Sequence, residues 1–266
     1  MNDEESDYIV LKLPDHRNIR IIGNEVEIIN SGNGSVMVNG HKMALDAVTG
    51  GVSRTARLSV PRGKRARVTL ADGSVVWVNS GTKLRYPLKF EKDFRYIYAE
   101  GEVFLNVTKD PSHPFIAETR GFDVKVYGTS FNLSAYPSDS IASVVLVGGS
   151  VKVAGKGNED DVSMKPGELV NIKGSDAEMP RKVNVDKYVS WVDNLLVYDN
   201  EPLREVFNRL STMTGKEFVL GKGVSVMRVS GKLDLKEGLG NVLSTISFAA
   251  PVRFEERDEK IYVSKI

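Results

Sequence analysis

From Tyr8 to about Lys182 the sequence never sustains a helical period, and this restricts the fold more than any other feature. Its apolar runs are 4–8 residues long, rich in Val, Ile, Tyr and Phe, and cut by Gly, Asp and Asn. Runs of that kind read as strands bounded by turns. They are Tyr8–Leu13, Glu25–Ile29, Ser35–Val38, Ala66–Leu70, Val75–Asn79, Tyr96–Glu100, Val103–Val107, Phe115–Glu118, Phe122–Tyr127, Ser130–Ala135, Ser143–Val147, Ser150–Val153 and Leu169–Lys173. Asp72-Gly73 and Gly148-Gly149 have the form of hairpin turns, because glycine accepts the positive φ those turns demand. Residues 1–182 are thus expected to form a mostly β domain, sandwich or solenoid-like, and no strict repeat decides between the two. Val75-Val76-Trp77-Val78 is apolar throughout, which predicts cover on both faces and a core position for Trp77.

The character changes after about Pro180. Leu203, Val206, Phe207, Leu210 and Met213 form one stripe of a helix. Asp199 or Asn200 can cap its start, Pro202 suits the first turn, and Gly215 suits the stop. A second helix carries Leu239, Val242, Leu243 and Ile246. Asp234 and Glu237 have capping-box spacing before it, and Pro251 forbids its continuation. Shifting the sequence by 36 positions aligns Leu203 with Leu239, Val206 with Val242, Leu210 with Ile246 and Phe218 with Phe254. Each copy reads strand, helix, strand, and Lys260–Ser264 adds a last strand. Residues 186–266 are therefore expected to form a small α+β domain of two β-α-β units.

Composition narrows the function. The 36 basic and 35 acidic side chains nearly cancel, where a nucleic-acid binder needs a basic excess. No nucleic-acid partner and no anionic membrane surface are expected. The absence of cysteine excludes disulfides and thiolate nucleophiles. No apolar run approaches the ~18 residues of a spanning helix, and the acidic start Met1-Asn2-Asp3-Glu4-Glu5 is unlike a signal peptide. As given, the sequence carries no export signal.

Searching for chemistry returns little. His16, His41 and His113 sit in no metal-binding spacing. There is no G-x-S-x-G elbow and no S-x-x-K set. Gly32-Asn33-Gly34 lacks the third glycine of a phosphate loop, and Glu159-Asp160-Asp161 lacks the spaced oxygens of a calcium loop. Glu100 and Glu102 would share one strand face, but nothing in the sequence gives the separation a glycosidase pair requires. Neither catalysis nor a cofactor, metal or small-molecule ligand is expected.

Several motifs are specific when taken together. Val60-Pro61-Arg62-Gly63 precedes Leu70-Ala71-Asp72-Gly73-Ser74 and Trp77-Val78-Asn79. Gly101-Glu102-Val103-Phe104, Pro114-Phe115 and Tyr127-Gly128-Thr129-Ser130-Phe131-Asn132-Leu133 follow, then Val144 to Val153 and Lys165-Pro166-Gly167-Glu168. In order and spacing they resemble the FecR family of transmembrane anti-sigma regulators. The stretch from Val189-Ser190-Trp191-Val192-Asp193 to Leu210 resembles the C-terminal domain that follows in Bacteroidetes members. The likeness covers about residues 55–266 well and 8–54 loosely; Gly148 departs from it, standing where an acidic residue is expected.

The resemblance implies a periplasmic segment of an inner-membrane protein, with its span and its sigma-factor-binding cytoplasmic domain outside this sequence. It implies that the segment meets the signalling domain of a TonB-dependent outer-membrane transducer and so controls an extracytoplasmic-function sigma factor. The C-terminal β-α-β units resemble the secretin/TonB short N-terminal fold. Two such domains could dock by pairing sheet edges, since an edge strand offers unpaired backbone groups. The candidate edges are Leu195, Leu196, Val197 and Tyr198, and Ile261, Tyr262 and Val263 within Lys260–Ser264. The competing expectation is a periplasmic carbohydrate- or peptidoglycan-binding module. It needs an exposed aromatic platform, which Tyr86, Tyr96, Tyr98 and Tyr136 could supply.

Overall fold

The computed structural model describes residues 7–32, 34–45, 55–91, 93–157 and 161–266. The Gly32-Asn33-Gly34 turn and the Glu159-Asp160-Asp161 cluster lie partly outside them. The chain divides into two compact units, Met1–Val185 and Asp186–Ile266.

Among the described residues, the regular elements of the first unit are all strands. In chain order these are β1 (Ile9–Lys12), β2 (Asn18–Ile21), β3 (Glu25–Asn30), β4 (Ser35–Val38), β5 (His41–Ala44), β6 (Thr55–Val60), β7 (Arg65–Thr69), β8 (Val75–Val78), β9 (Thr82–Pro87) and β10 (Arg95–Asn106). Then come β11 (Phe115–Glu118), β12 (Phe122–Val126), β13 (Ser130–Ala135), β14 (Ala142–Gly148), β15 (Val151–Gly155), β16 (Asp161–Met164), β17 (Glu168–Lys173), β18 (Asp176–Ala177) and β19 (Arg181–Lys182). They form one curled sheet folded into two layers. The layers meet in β10, whose first half pairs with β9 and β11 and whose second half pairs with β8 and β13. Among the described strands of this unit, only β3 with β7 and β10 with β11 run parallel. That antiparallel pattern is a sandwich's rather than a solenoid's. Inward residues of both layers, such as Leu11, Leu58, Leu84 and Val124 from one and Ile28, Val68, Val103 and Leu133 from the other, join a single core.

Two sequence expectations change here. Tyr96–Glu100 and Val103–Val107, expected as separate strands, are one strand of 12 residues. Gly101 between them is a crossing point, not a turn: its φ is +115°, and a Cβ there would lie 2.8 Å from the Thr82 Cα. A glycine inside a strand marks such a close backbone approach. Trp77 is not in the core. Residues of β8 alternate, and Trp77 faces outward, half-buried, with Phe104 at 5.4 Å and the Arg67 guanidinium 5.6 Å over its ring. Outer-face cover by these neighbours, not a second core, accounts for the unbroken apolar run. Strands β2, β5, β6, β9, β16, β18 and β19 fall outside the runs legible in the sequence: polar residues at outward positions break up the pattern of β2, β6, β9 and β16, and β5, β18 and β19 bury no side chain.

The second unit runs α1 (Asp186–Val189), a 3-10 turn (Ser190–Asp193), β20 (Leu195–Pro202), α2 (Leu203–Thr214), β21 (Glu217–Leu220) and β22 (Arg228–Asp234). A second 3-10 turn (Leu235–Glu237), α3 (Leu239–Ala249), β23 (Val252–Arg257) and β24 (Lys260–Lys265) complete it. All five stripe residues of α2 are buried, and Gly215 ends the helix at φ +73°. Phe207 packs against Phe218 at 5.0 Å and Phe254 at 6.1 Å, tying α2 to β21 and β23. The start of α2 differs from expectation. Neither Asp199 nor Asn200 caps it; the Leu203 and Arg204 N–H groups donate to the Met227 and Ser225 carbonyls. The orphan donors of a helix start can be met by any nearby acceptor, and here tertiary structure supplies it. Asp234 likewise caps the 3-10 turn, accepting from the Lys236 N–H at 2.9 Å, and no capping box forms on α3 because Gly238 intervenes.

Candidate functional site

β20 is positioned by the segment before it. Trp191 is buried, Asn194 reverses the chain at φ +66°, and the Ser190 hydroxyl donates to the Leu195 carbonyl at 3.1 Å. β20 then pairs antiparallel with β22, Leu195 opposite Asp234 and Tyr198 opposite Gly231, with an irregularity between Tyr198 and Glu201. Leu196 and Tyr198 are buried, while Leu195 and Val197 are half-buried. Burial raises the Tyr198 hydroxyl pKa above the ordinary phenol value. Among the described strands β20 has no second neighbour, so one side of it is open. That side is not bare. Arg209 donates from Nη1 to the Val197 carbonyl at 2.9 Å and from Nη2 to the Lys187 carbonyl at 2.9 Å. Glu201 holds the same guanidinium at 3.3 Å and Lys187 Nζ at 3.0 Å.

The second candidate edge is corrected. β24 lies in the middle of a three-stranded sheet, parallel to β21 and antiparallel to β23. Ile261 and Val263 are buried, and Tyr262 is half-buried under Arg257. Ile261, Tyr262 and Val263 therefore offer no free backbone edge. Its place at the end of the chain does not put β24 at the edge of the sheet, because β21 reaches it by a parallel crossover. Chain order gave no sign of this.

The four tyrosines divide. Tyr86 is fully buried, and burial pushes its hydroxyl pKa well up. Tyr136 donates to the Ser80 carbonyl at 2.8 Å, and burial raises its pKa too. Both are scaffold. Tyr96 and Tyr98 line a cleft of about 430 Å3 together with Phe90, Phe94, Arg57 and Arg85, and Tyr86 also contributes to its lining. No group of His, Asp and Glu able to hold a metal ion occurs among the described residues.

Several of the motif residues do structural work. Asp72 orders its own turn by accepting from the Ser74 N–H at 3.0 Å, and pairs with buried Arg95 at 2.9 Å. Arg95 also donates to the Thr108 and His113 carbonyls. Glu102 accepts from Asn79 at 2.7 Å and from Asn132 at 2.9 Å, joining three strands. A Cβ on Gly128 would lie 2.6 Å from the Lys109 Cα, so that glycine too marks a close approach. The motifs thus define a fold and leave the site unspecified.

The FecR protein family model matches residues 56–152, and the FecR C-terminal model matches residues 195–263. The chain belongs to the FecR family. Two crystal structures of a "putative anti-sigma factor" from Parabacteroides distasonis are similar to it. Each is 33% identical with a TM-score of 0.69; they cover 79% and 80% of this chain, which in turn covers 99% of each. No curated protein matches. As a FecR-family protein the chain is an anti-sigma regulator, and regulation of a sigma factor is its role. No helix among the described residues of this FecR protein is long and apolar enough to cross a membrane.

Proposed function

We propose that this chain is the periplasmic relay segment of its anti-sigma regulator, and that its C-terminal unit binds the signalling domain of a TonB-dependent outer-membrane transducer. Capture of an external ligand by the transducer then reaches the sigma factor through the regulator's cytoplasmic part. The observation that carries this is the open side of β20. The strand-helix-strand, strand-helix-strand order of the unit supports reading it as a domain like the secretin/TonB short N-terminal fold, and small α+β domains of this kind can extend one sheet across two proteins. An incoming strand would take the backbone groups that Ser190 and Arg209 now partly occupy.

The test is capture of a purified transducer signalling domain by the full chain. Val197→Pro removes a backbone donor from the open edge and is expected to weaken capture at least tenfold, with thermal unfolding nearly unchanged. Leu195→Asp, on the same strand, is expected to act alike. Capture at full strength by both variants, each shown to be folded, sinks the proposal. Val263→Pro is the contrasting control: in a central strand it is expected to unfold the unit.

A further inference from the structure

The cleft of about 430 Å3 opens on the outer face of the layer containing β6, β9, β10 and β11. Small-molecule sites span roughly 300–1,000 Å3, so the space suits a compact ligand. Strand register builds its floor. Arg57 stands opposite Arg85, Arg85 opposite Tyr98, and Tyr98 beside Glu118. Lys12 continues the row on the other side of Arg57. Tyr96 shares this face two residues along β10 and is 37% exposed; Phe94, 41% exposed, lies at the rim.

Two features of that row call for an explanation. Like charges directly opposite each other across an antiparallel pair repel. Among the described residues no carboxylate is in ion-pair contact with Arg57 or Arg85. One of the two cations is also held in place. The Arg85 guanidinium lies 3.9 Å over the Tyr98 ring, and the Tyr98 hydroxyl donates to Glu100 at 2.7 Å. Partial burial, and then hydrogen bonding to Glu100, raise the Tyr98 pKa, so the hydroxyl stays protonated. A repulsive pair on a preorganised aromatic floor is what a site for an anionic group requires.

We propose that this cleft binds a carbohydrate carrying an acidic group, either a uronic acid or a sulfated sugar. The arginine pair would take the carboxylate or sulfate through paired N–H donors, for which the planar guanidinium is shaped. The exposed faces of Tyr96 and Phe94 would stack against the C–H face of the sugar ring, whose polarity complements an electron-rich ring. Glu91 at the rim, and Glu118 beside its Lys156 partner, would accept from ring hydroxyls. The site lies in the first unit and does not rest on the β20 edge.

The experiment is calorimetric titration of the full chain with three disaccharides: one containing glucuronate, one sulfated, and one neutral. Saturable binding of at least one acidic disaccharide is expected, tenfold or more tighter than the neutral one and weakened by added salt. The acidic arm that binds tells carboxylate from sulfate. The double variant Arg57→Gln/Arg85→Gln and the single variant Tyr96→Ala are each expected to lose at least tenfold in affinity while melting as the parent does. No saturable binding of either acidic disaccharide overturns the proposal. So does unchanged affinity in the double arginine variant. The same double variant is expected to capture the transducer signalling domain normally. Loss of capture with no sugar binding would make the cleft a protein-docking surface and end the carbohydrate proposal, leaving the β20 proposal to its own variants.

Discussion

Replacing Gly101 by alanine tests the joint between the two layers of the first unit. The residue sits where β10 leaves β9 and β11 for β8 and β13, at φ +115°. Two costs arise. An L-residue held in a sparsely populated backbone region costs on the order of 1–3 kcal/mol. The new methyl would also fall 2.8 Å from the Thr82 Cα and Cβ, where backbone must shift. Overpacking of that kind costs typically about 1–3 kcal/mol. The sum is about 4 kcal/mol, a large share of the roughly 5–15 kcal/mol that holds a domain folded. Gly40→Ala is the internal comparison: φ there is +79°, but no atom lies within 4 Å of the added carbon. It should show only the backbone cost, on the order of 1–3 kcal/mol. Equilibrium urea denaturation followed by far-ultraviolet circular dichroism, extrapolated linearly to water, measures both. A Gly101→Ala loss no larger than that of Gly40→Ala would refute the close-approach argument.

Phe207→Ala should remove the centre of the second unit's core, since the ring is buried against Phe218 and Phe254; a loss of about 3–5 kcal/mol is expected, read as selective loss of the unit's amide protection in hydrogen exchange. Asp110 has its pKa lowered by the hydrogen bond from the His113 ring, so its small stabilising effect is present above the unfolded carboxylate pKa and lost as pH falls through the lower folded value. A carbon-detected titration should find Asp110 below the ordinary aspartate range and His113→Ala should move it up; an unchanged midpoint would show that the hydrogen bond has no effect.

What was legible in the sequence followed from periodicity. The α2 stripe survived intact because burial on one side of a helix imposes a spacing that no neighbour can alter. Ser35–Val38, Phe115–Glu118 and Ser130–Ala135 were legible as strands to the residue, since dense apolar runs end abruptly at turn residues. β6 and β9 escaped for the opposite reason: Thr55, Arg57 and Ser59, and Lys83 and Arg85, interrupt their inward residues. Those interrupting residues include both arginines of the cleft. The site was hidden by the same polar residues that concealed its strands. The four tyrosines are indistinguishable in the sequence, and only register separates buried Tyr86 from exposed Tyr96.

Local periodicity and turn chemistry survive in one dimension and were enough for the β character of the first unit and the two helices of the second, while the order and spacing of the motifs carried the resemblance to the FecR family. Tertiary structure alone decided that β10 joins both layers, that Met227 and Ser225 carbonyls receive the start of α2, and that β24 is central while β20 has an open side. It alone brought Arg57 opposite Arg85 from strands 28 positions apart. Strand pairing joins residues of any separation, and the register that chooses them is set by the whole core at once.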